Sequence, residues 1–152
     1  MTHYYFDSSG LVKNYVLETG TDWVRNICTN PSHTIYTIRI SSAEIVAAFS
    51  LRVRTNSIQI ADGQSAIHQF KADFQTNYQI VEVTMPLVEL AMVLIERHGL
   101  RGYDGIQLAG ALSLHHIRDS LSLPALTFVC ADNRLNEAAT TEGLLVENPN
   151  LK

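Results

Sequence analysis

The sequence is short of cysteine, lysine, proline and long apolar runs, and each shortage removes a class of protein. Only two cysteines occur in 152 residues. Cys28 and Cys130 sit in apolar stretches without metal-ligand spacing, which excludes a disulfide scaffold or zinc–thiolate site and reads both as buried thiols. No apolar run reaches the roughly 20 residues that cross a bilayer, because Glu, Arg, Asn or Gln interrupts each one. The opening Met1 to Asp7 lacks the basic region and small-residue cleavage site of a signal peptide. These absences together point to a cytoplasmic protein. There is no repeat, low-complexity tract or Pro/Gly/Ser-rich linker, so residues 1–152 are read as one domain. Basic charge is scarce as well: Lys13, Lys71 and Lys152 are the only lysines, and the net charge is −4. Such a balance disfavours strong non-specific binding to nucleic acid. It leaves open a site built on carboxylates, where bound cations supply positive charge locally.

What is present is a compact-protein composition, 46% hydrophobic and 17% charged, arranged as alternating strand and helix signals. His3–Phe6 is aromatic-rich and β-prone and stops at Asp7. A helical pattern runs from Ser9 through Leu11, Val12, Tyr15 and Val16 to a stop at Gly20. A short helix from Thr21 ends before Pro31, and Thr34–Ile38 reads as a second strand. Ser41 opens a helix carrying Ile45, Val46, Ala48 and Phe49. Another runs from Gln59 to Tyr78, and Ile80–Val83 is a short strand. Pro86 suits the first turn of the next helix, which Gly99 closes. A helix near Asp104 carries Ile106, Leu108, Ala109 and Leu112. Leu126–Val129 is an almost unbroken apolar strand, followed by Asp132, a helix ending near Gly143, and a last strand at Leu145–Val146. This alternation predicts an α/β fold, a three-layer α/β/α sandwich with a mainly parallel central sheet.

In open sheets of this kind, ligands bind beyond the carboxyl ends of the strands. Asp7 and Asp132 follow strands directly, while Glu44 and Asp104 lie near helix starts on the same expected rim. Each acid also has a plain structural role available. Asp7 and Asp132 suit helix N-caps, Ser41-x-x-Glu44 matches a capping box, and Asp104 complements a helix dipole.

The contexts of the four acids bear on this choice. Tyr5-Phe6-Asp7-Ser8-Ser9-Gly10-Leu11-Val12 resembles the opening of PIN-domain proteins, and Glu18-Thr19-Gly20-Thr21-Asp22-Trp23-Val24 resembles the segment that follows it there. Ser41-Ser42-Ala43-Glu44-Ile45-Val46 is similar to the second motif of that family. Arg101-Gly102-Tyr103-Asp104-Gly105-Ile106-Gln107-Leu108-Ala109 is similar to the third, and Phe128-Val129-Cys130-Ala131-Asp132-Asn133-Arg134 to the fourth. The motifs follow in order across nearly the whole chain. Gly10, Gly105 and Gly110 stand where alanine is more usual, and Cys130 where serine or threonine is common.

The resemblance, to VapC-type ribonuclease toxins, implies a PIN-like fold and hydrolysis of RNA to 5′-phosphate and 3′-hydroxyl products. It implies Mg²⁺ or Mn²⁺ held by Asp7, Glu44, Asp104 and Asp132, a homodimer, and a neutralising antitoxin protein as partner. Oxygen ligands suit these ions, and four carboxylates in one pocket repel one another unless a cation relieves them. Ser9 is placed to orient Asp7 or a water. Lys13, Arg101 and Arg134 are candidate phosphate contacts, against a reading as solvated charges. No histidine is assigned a role, since His115 and His116 are adjacent and diverge on a helix. The helices at 45–49 and 60–74 offer apolar residues for partner surfaces, with core packing the expected use of most of them. Two other functions remain in view: a PIN-like binding module with weak or no catalysis, and a phosphoryl-accepting domain. The second needs a partnering lysine at another strand end, and none is found.

Overall fold

In the computed structural model, which describes residues 1–152, five strands form one sheet. The order along the chain is β1 (Thr2–Phe6), α1 (Ser8–Leu11), a 3-10 turn (Val12–Asn14), α2 (Thr21–Thr29), β2 (His33–Ile38), α3 (Ser41–Arg54) and α4 (Ile60–Thr76). There follow β3 (Gln79–Val81), α5 (Met85–His98), α6 (Gly102–Ser120), β4 (Leu126–Val129), α7 (Asn133–Thr141), β5 (Leu145–Glu147) and a terminal 3-10 turn (Pro149–Leu151). Every strand pair is parallel, and the spatial order is β3-β2-β1-β4-β5. The chain moves outward from β1 in one direction and returns through β4 to build the other half. The reversal therefore falls between β1 and β4, where Phe6 stands opposite Val129.

Successive side chains of a strand point to opposite faces, and both faces here are buried. Tyr5, Phe128 and Leu126 join a core under α5, α6 and α7. Phe6, Val129 and Ile35 join a second core under α2, α3 and α4. A strand apolar on both faces belongs inside a parallel sheet covered by helices on each side, and the expected three-layer sandwich is what forms. On one side, Tyr15, Phe49 and Phe70 pack edge to face. Each fully buried side chain of this size contributes on the order of 1.5–3 kcal/mol through removal from water.

Local signals account for the helix ends. Thr84 accepts the Leu87 N–H to cap α5, Pro86 occupies its first turn, and Gly99 closes it at φ 64°. The Arg134 guanidinium also donates to the Gly99 carbonyl, a cation placed where the helix dipole favours one.

Two expectations need correction. The helix read from Ser9 to Val16 is only one turn of α-helix followed by a 3-10 turn. Bonds to the turn that follows break it: the Lys13 ammonium reaches Glu18 and the Thr19 carbonyl, and Thr21 Oγ1 holds the Val16 carbonyl. Cys28 is only partly buried, whereas Cys130 is buried as expected, and both are free. The apolar residues of α3 and α4 mostly enter the core, as expected of them: Ile45, Phe49, Ala66, Phe70 and Phe74 are buried, while Leu51 and Ile60 stay exposed. Further exposed apolar surface lies at Met85, Val88, Met92 and Val93 of α5 and Tyr103 of α6. No helix is long and apolar enough to cross a membrane.

Glycine at position 10 lets α1 sit directly on the end of β4. A Cβ there would stand 2.8 Å from the Val129 carbonyl oxygen and 3.3 Å from the Phe6 ring. Backbone at a buried strand end has little room to yield. Gly10→Ala is therefore expected to lower the free energy of unfolding by about 1–3 kcal/mol despite alanine's better helix propensity. Urea unfolding of the two proteins reads this directly, and an unchanged midpoint would show that α1 can shift.

Candidate active site at the strand ends

The reversal point between β1 and β4 places Asp7 beside Cys130, each one residue past its strand. The Asp7 N–H continues the sheet by donating to the Val129 carbonyl at 3.1 Å. Asp7 is buried, at 4% exposure. Its Oδ1 accepts the Gly10 N–H at 2.9 Å, the Ser9 hydroxyl lies within 2.9 Å of both carboxylate oxygens, and the Cys130 thiol lies 3.2 Å from Oδ2. Ser9 Oγ also accepts the Ala131 N–H at 3.0 Å, tying α1 to the segment after β4. Asp7 thus caps α1 and faces the rim at once. Ser9 holds it, as its position in the sequence suggested.

Asp132 caps α7 through the Leu135 N–H at 3.0 Å, and its other carboxylate oxygen has no hydrogen-bond partner in the protein. Asp104 lies in the first turn of α6 with neither oxygen bonded. Burial, then Asp132, then Glu44 push the Asp104 carboxyl above its usual range, while Arg101 and Arg134 oppose the rise. These influences fall off with distance, so they mark the three acids and two guanidinium groups as neighbours. Burial pushes Asp7 up to about 6, with Glu44 adding to the rise and the bonds from Gly10, Ser9 and Cys130 opposing it.

Glu44 does not close the capping box that Ser41-x-x-Glu44 suggested. α3 has no side-chain cap. Instead Glu44 Oε1 accepts the Ser8 hydroxyl and the Gln107 amide, both at 2.9 Å, and the same amide lies 2.8 Å from Ser41 Oγ and 3.0 Å from Ser8 Oγ. Sequence reasoning missed Ser8 and Gln107 as parts of this site. The available signal was Gln107 itself, a polar residue among Ile106, Leu108 and Ala109, one turn beyond Asp104.

Lys13 is corrected on both of its readings. It is buried rather than solvated, and its ammonium is committed to Glu18 at 3.1 Å and the Thr19 carbonyl at 2.8 Å rather than free for phosphate. Arg101 and Arg134 are exposed beside Asp104. His98 pairs with Glu142 and His33 with the Ile27 carbonyl, away from the acids.

No group of three or more His, Cys, Asp or Glu side chains is arranged to hold a metal ion directly between its own atoms. The donor chemistry nonetheless suits a hard divalent cation. Asp104, Glu44 and Asp132 each keep at least one carboxylate oxygen without a protein partner, and Asp104 carries the cost of its like-charged neighbours. Mg²⁺ retains several waters and takes only one or two carboxylates directly, so such a set does not have to close on a bare ion.

Comparison with known proteins follows the same line. The fold is PIN-like: the chain superposes on VapBC2 from Rickettsia felis bound to a promoter DNA fragment with a TM-score of 0.61 at 16% identity, covering 97% of this chain and 98% of that one. A toxin–antitoxin complex from Klebsiella pneumoniae matches with a TM-score of 0.60 at 16% identity, covering 95% and 96%. In sequence the chain is similar to Ribonuclease VapC45 of Mycobacterium tuberculosis, 28% identical over 142 residues, 93% of this chain and 92% of the relative. No family model matches. The chain thus resembles PIN-domain proteins of the VapC type over nearly its whole length.

The pH dependence of the metal-free fold is a check on this geometry. In the native state Asp7 keeps its proton up to about pH 6, whereas an unfolded aspartic acid loses it near 3.9. Between those values the native state binds the extra proton, so stability falls as pH rises through the window and the loss is complete above it. Two units correspond to about 3 kcal/mol. Urea unfolding from pH 4 to pH 7 should show this fall in the metal-free protein, and Asp7→Asn should flatten it. An identical profile in the variant would place the titration elsewhere.

Proposed function

We propose that the chain is a divalent-metal-dependent endoribonuclease that hydrolyses RNA phosphodiester bonds and serves as the toxin of a toxin–antitoxin pair. What supports this reading is that Asp7 follows β1 and Asp132 lies just beyond β4 at the reversal point of the sheet, with Glu44 near enough to act on Asp7 and both Glu44 and Asp132 near enough to act on Asp104. The name of the similar mycobacterial protein, a ribonuclease, supports the substrate class, and the toxin–antitoxin complex sharing the fold supports the partner.

Asp7, Asp104 and Asp132 would hold Mg²⁺ or Mn²⁺, with Glu44 ligating or positioning the attacking water. When bound, the cation neutralises the phosphate, lowers the pKa of a water and steadies the leaving oxygen. Ser9, Gly10 and Cys130 fix the orientation of the Asp7 carboxylate. Arg101 and Arg134, exposed on the rim beside Asp104, contact the phosphates flanking the cleaved bond. Cleavage leaves 5′-phosphate and 3′-hydroxyl ends. The protein acts in the cytoplasm as a homodimer, for which the exposed apolar residues of α5 are the candidate surface, and an antitoxin covers the acidic rim.

The test separates catalysis from folding. Asparagine keeps the cap that Asp132 provides to α7, because its side-chain oxygen accepts the same N–H. Asp132→Asn and Asp7→Asn are expected to lower RNA cleavage at least about 100-fold, with the melting temperature within a few degrees for Asp132→Asn and equal to or above that of the unsubstituted protein for Asp7→Asn. Mg²⁺ or Mn²⁺ should raise that temperature in the unsubstituted chain, as any ligand of the native state does. If neither ion supports cleavage nor raises stability, the metal-dependent reading fails. RNA binding without cleavage would favour a binding module.

A further inference from the structure

The best-defined polar cluster outside the acids themselves is the one around Gln107, and nothing in the reaction outlined above uses it. Gln107 is 2% exposed, on the face of α6 that packs against α1 and α3. Its Nε2 stands within 3.0 Å of three oxygens, Ser41 Oγ, Glu44 Oε1 and Ser8 Oγ. Its Oε1 is buried without a hydrogen-bond partner.

An amide rotates to satisfy its oxygen unless its nitrogen is held more firmly, because an unmade buried hydrogen bond is costly. The amide here is held by its nitrogen. Turning it over would bring a carbonyl oxygen against the Glu44 carboxylate, two acceptors with no proton between them. The Ser8 hydroxyl adds a second donor to the same oxygen of Glu44 at 2.9 Å. Two donors from two different elements, α1 and α6, therefore converge on Oε1. Oε2 has no protein partner.

We propose that Gln107 is the positioning residue of Glu44. It clamps one carboxylate oxygen so that the other is presented to the cation or to the attacking water. The inference rests on the metal-dependent reading of the acids and names a device within it. Gln107 touches neither substrate nor ion and acts only through Glu44. Residues that orient a metal ligand in this way typically alter affinity or activity 10–100-fold when replaced.

Gln107→Leu removes both the donor and the unpartnered carbonyl at nearly constant volume, so a purely structural role and a positioning role give different results. Positioning predicts a melting temperature equal to or above that of the unsubstituted chain, with Mn²⁺ binding weakened about 10-fold or more in a calorimetric titration with MnCl₂ alone. RNA cleavage should fall by a similar factor. In a Glu44→Ala background the same replacement should change Mn²⁺ affinity less than about twofold, because the residue it acts through is gone. Gln107→Met serves the same comparison if the leucine variant does not fold. A full effect of the replacement in the Glu44→Ala background would overturn the proposal, as would unchanged Mn²⁺ affinity in the single variant. If the unsubstituted chain binds Mn²⁺ without cleaving RNA, the nuclease reading falls while the affinity cycle still decides the role of Gln107. If it binds no Mn²⁺, both fall.

Discussion

The hydrogen bond from the Asp7 N–H to the Val129 carbonyl is the constraint on which the remainder depends. It extends the β1–β4 pairing one residue beyond the strands and so fixes where both chains leave the sheet. From that point α1 turns one way and the segment leading to α7 turns the other, with Ser9 bridging them through Asp7 and Ala131. Parallel strands of a layered sheet open a crevice where their connections diverge, and here both departing segments carry an acid at their first turn. The geometry of the site is a property of the sheet order, set before any side chain is chosen.

The choice of side chains then loads that crevice with opposed demands. Asp7 is buried, which favours its neutral form, yet it accepts bonds from Gly10, Ser9 and Cys130 that favour the ionised one. Asp104 is pressed upward by burial and two acids and drawn down by two arginines. A fold optimised for stability alone would not bring these groups together, since each ionised carboxylate added to the cluster makes the next harder to ionise. Well-packed cores on both faces of the sheet supply the stability against which this local cost is carried.

Much of the arrangement was legible in the chain. Strand-end acids and helix starts and stops are local signals, so Asp7, Asp132, Pro86 and Gly99 could be placed from their immediate neighbours. What escaped was set by partners far away in sequence, or by a nearby turn whose path periodicity does not reveal. Ser41 and Glu44 fit a capping box perfectly well as four consecutive residues, but Gln107, more than 60 positions later, takes both of them. Lys13 reads as a surface charge until Glu18 and the Thr19 carbonyl fold back over it, and the same bonds cut short a helix that periodicity extended to Val16. The apolar stripes of α3 and α4 were visible, but which apolar positions enter the core and which, like Met85, Met92 and Val93 of α5, stay outside depends on the packing of all seven helices.

Asp7 joins two duties that most proteins keep apart, closing a helix turn and facing the rim where chemistry would occur. The amide analogue can perform the first without the second. Silencing the molecule and dismantling it are consequently separate events at this position. A chain with asparagine there keeps the turn and the whole outer surface while losing one ionisable group from the rim, so charge and architecture can be varied independently at a single residue.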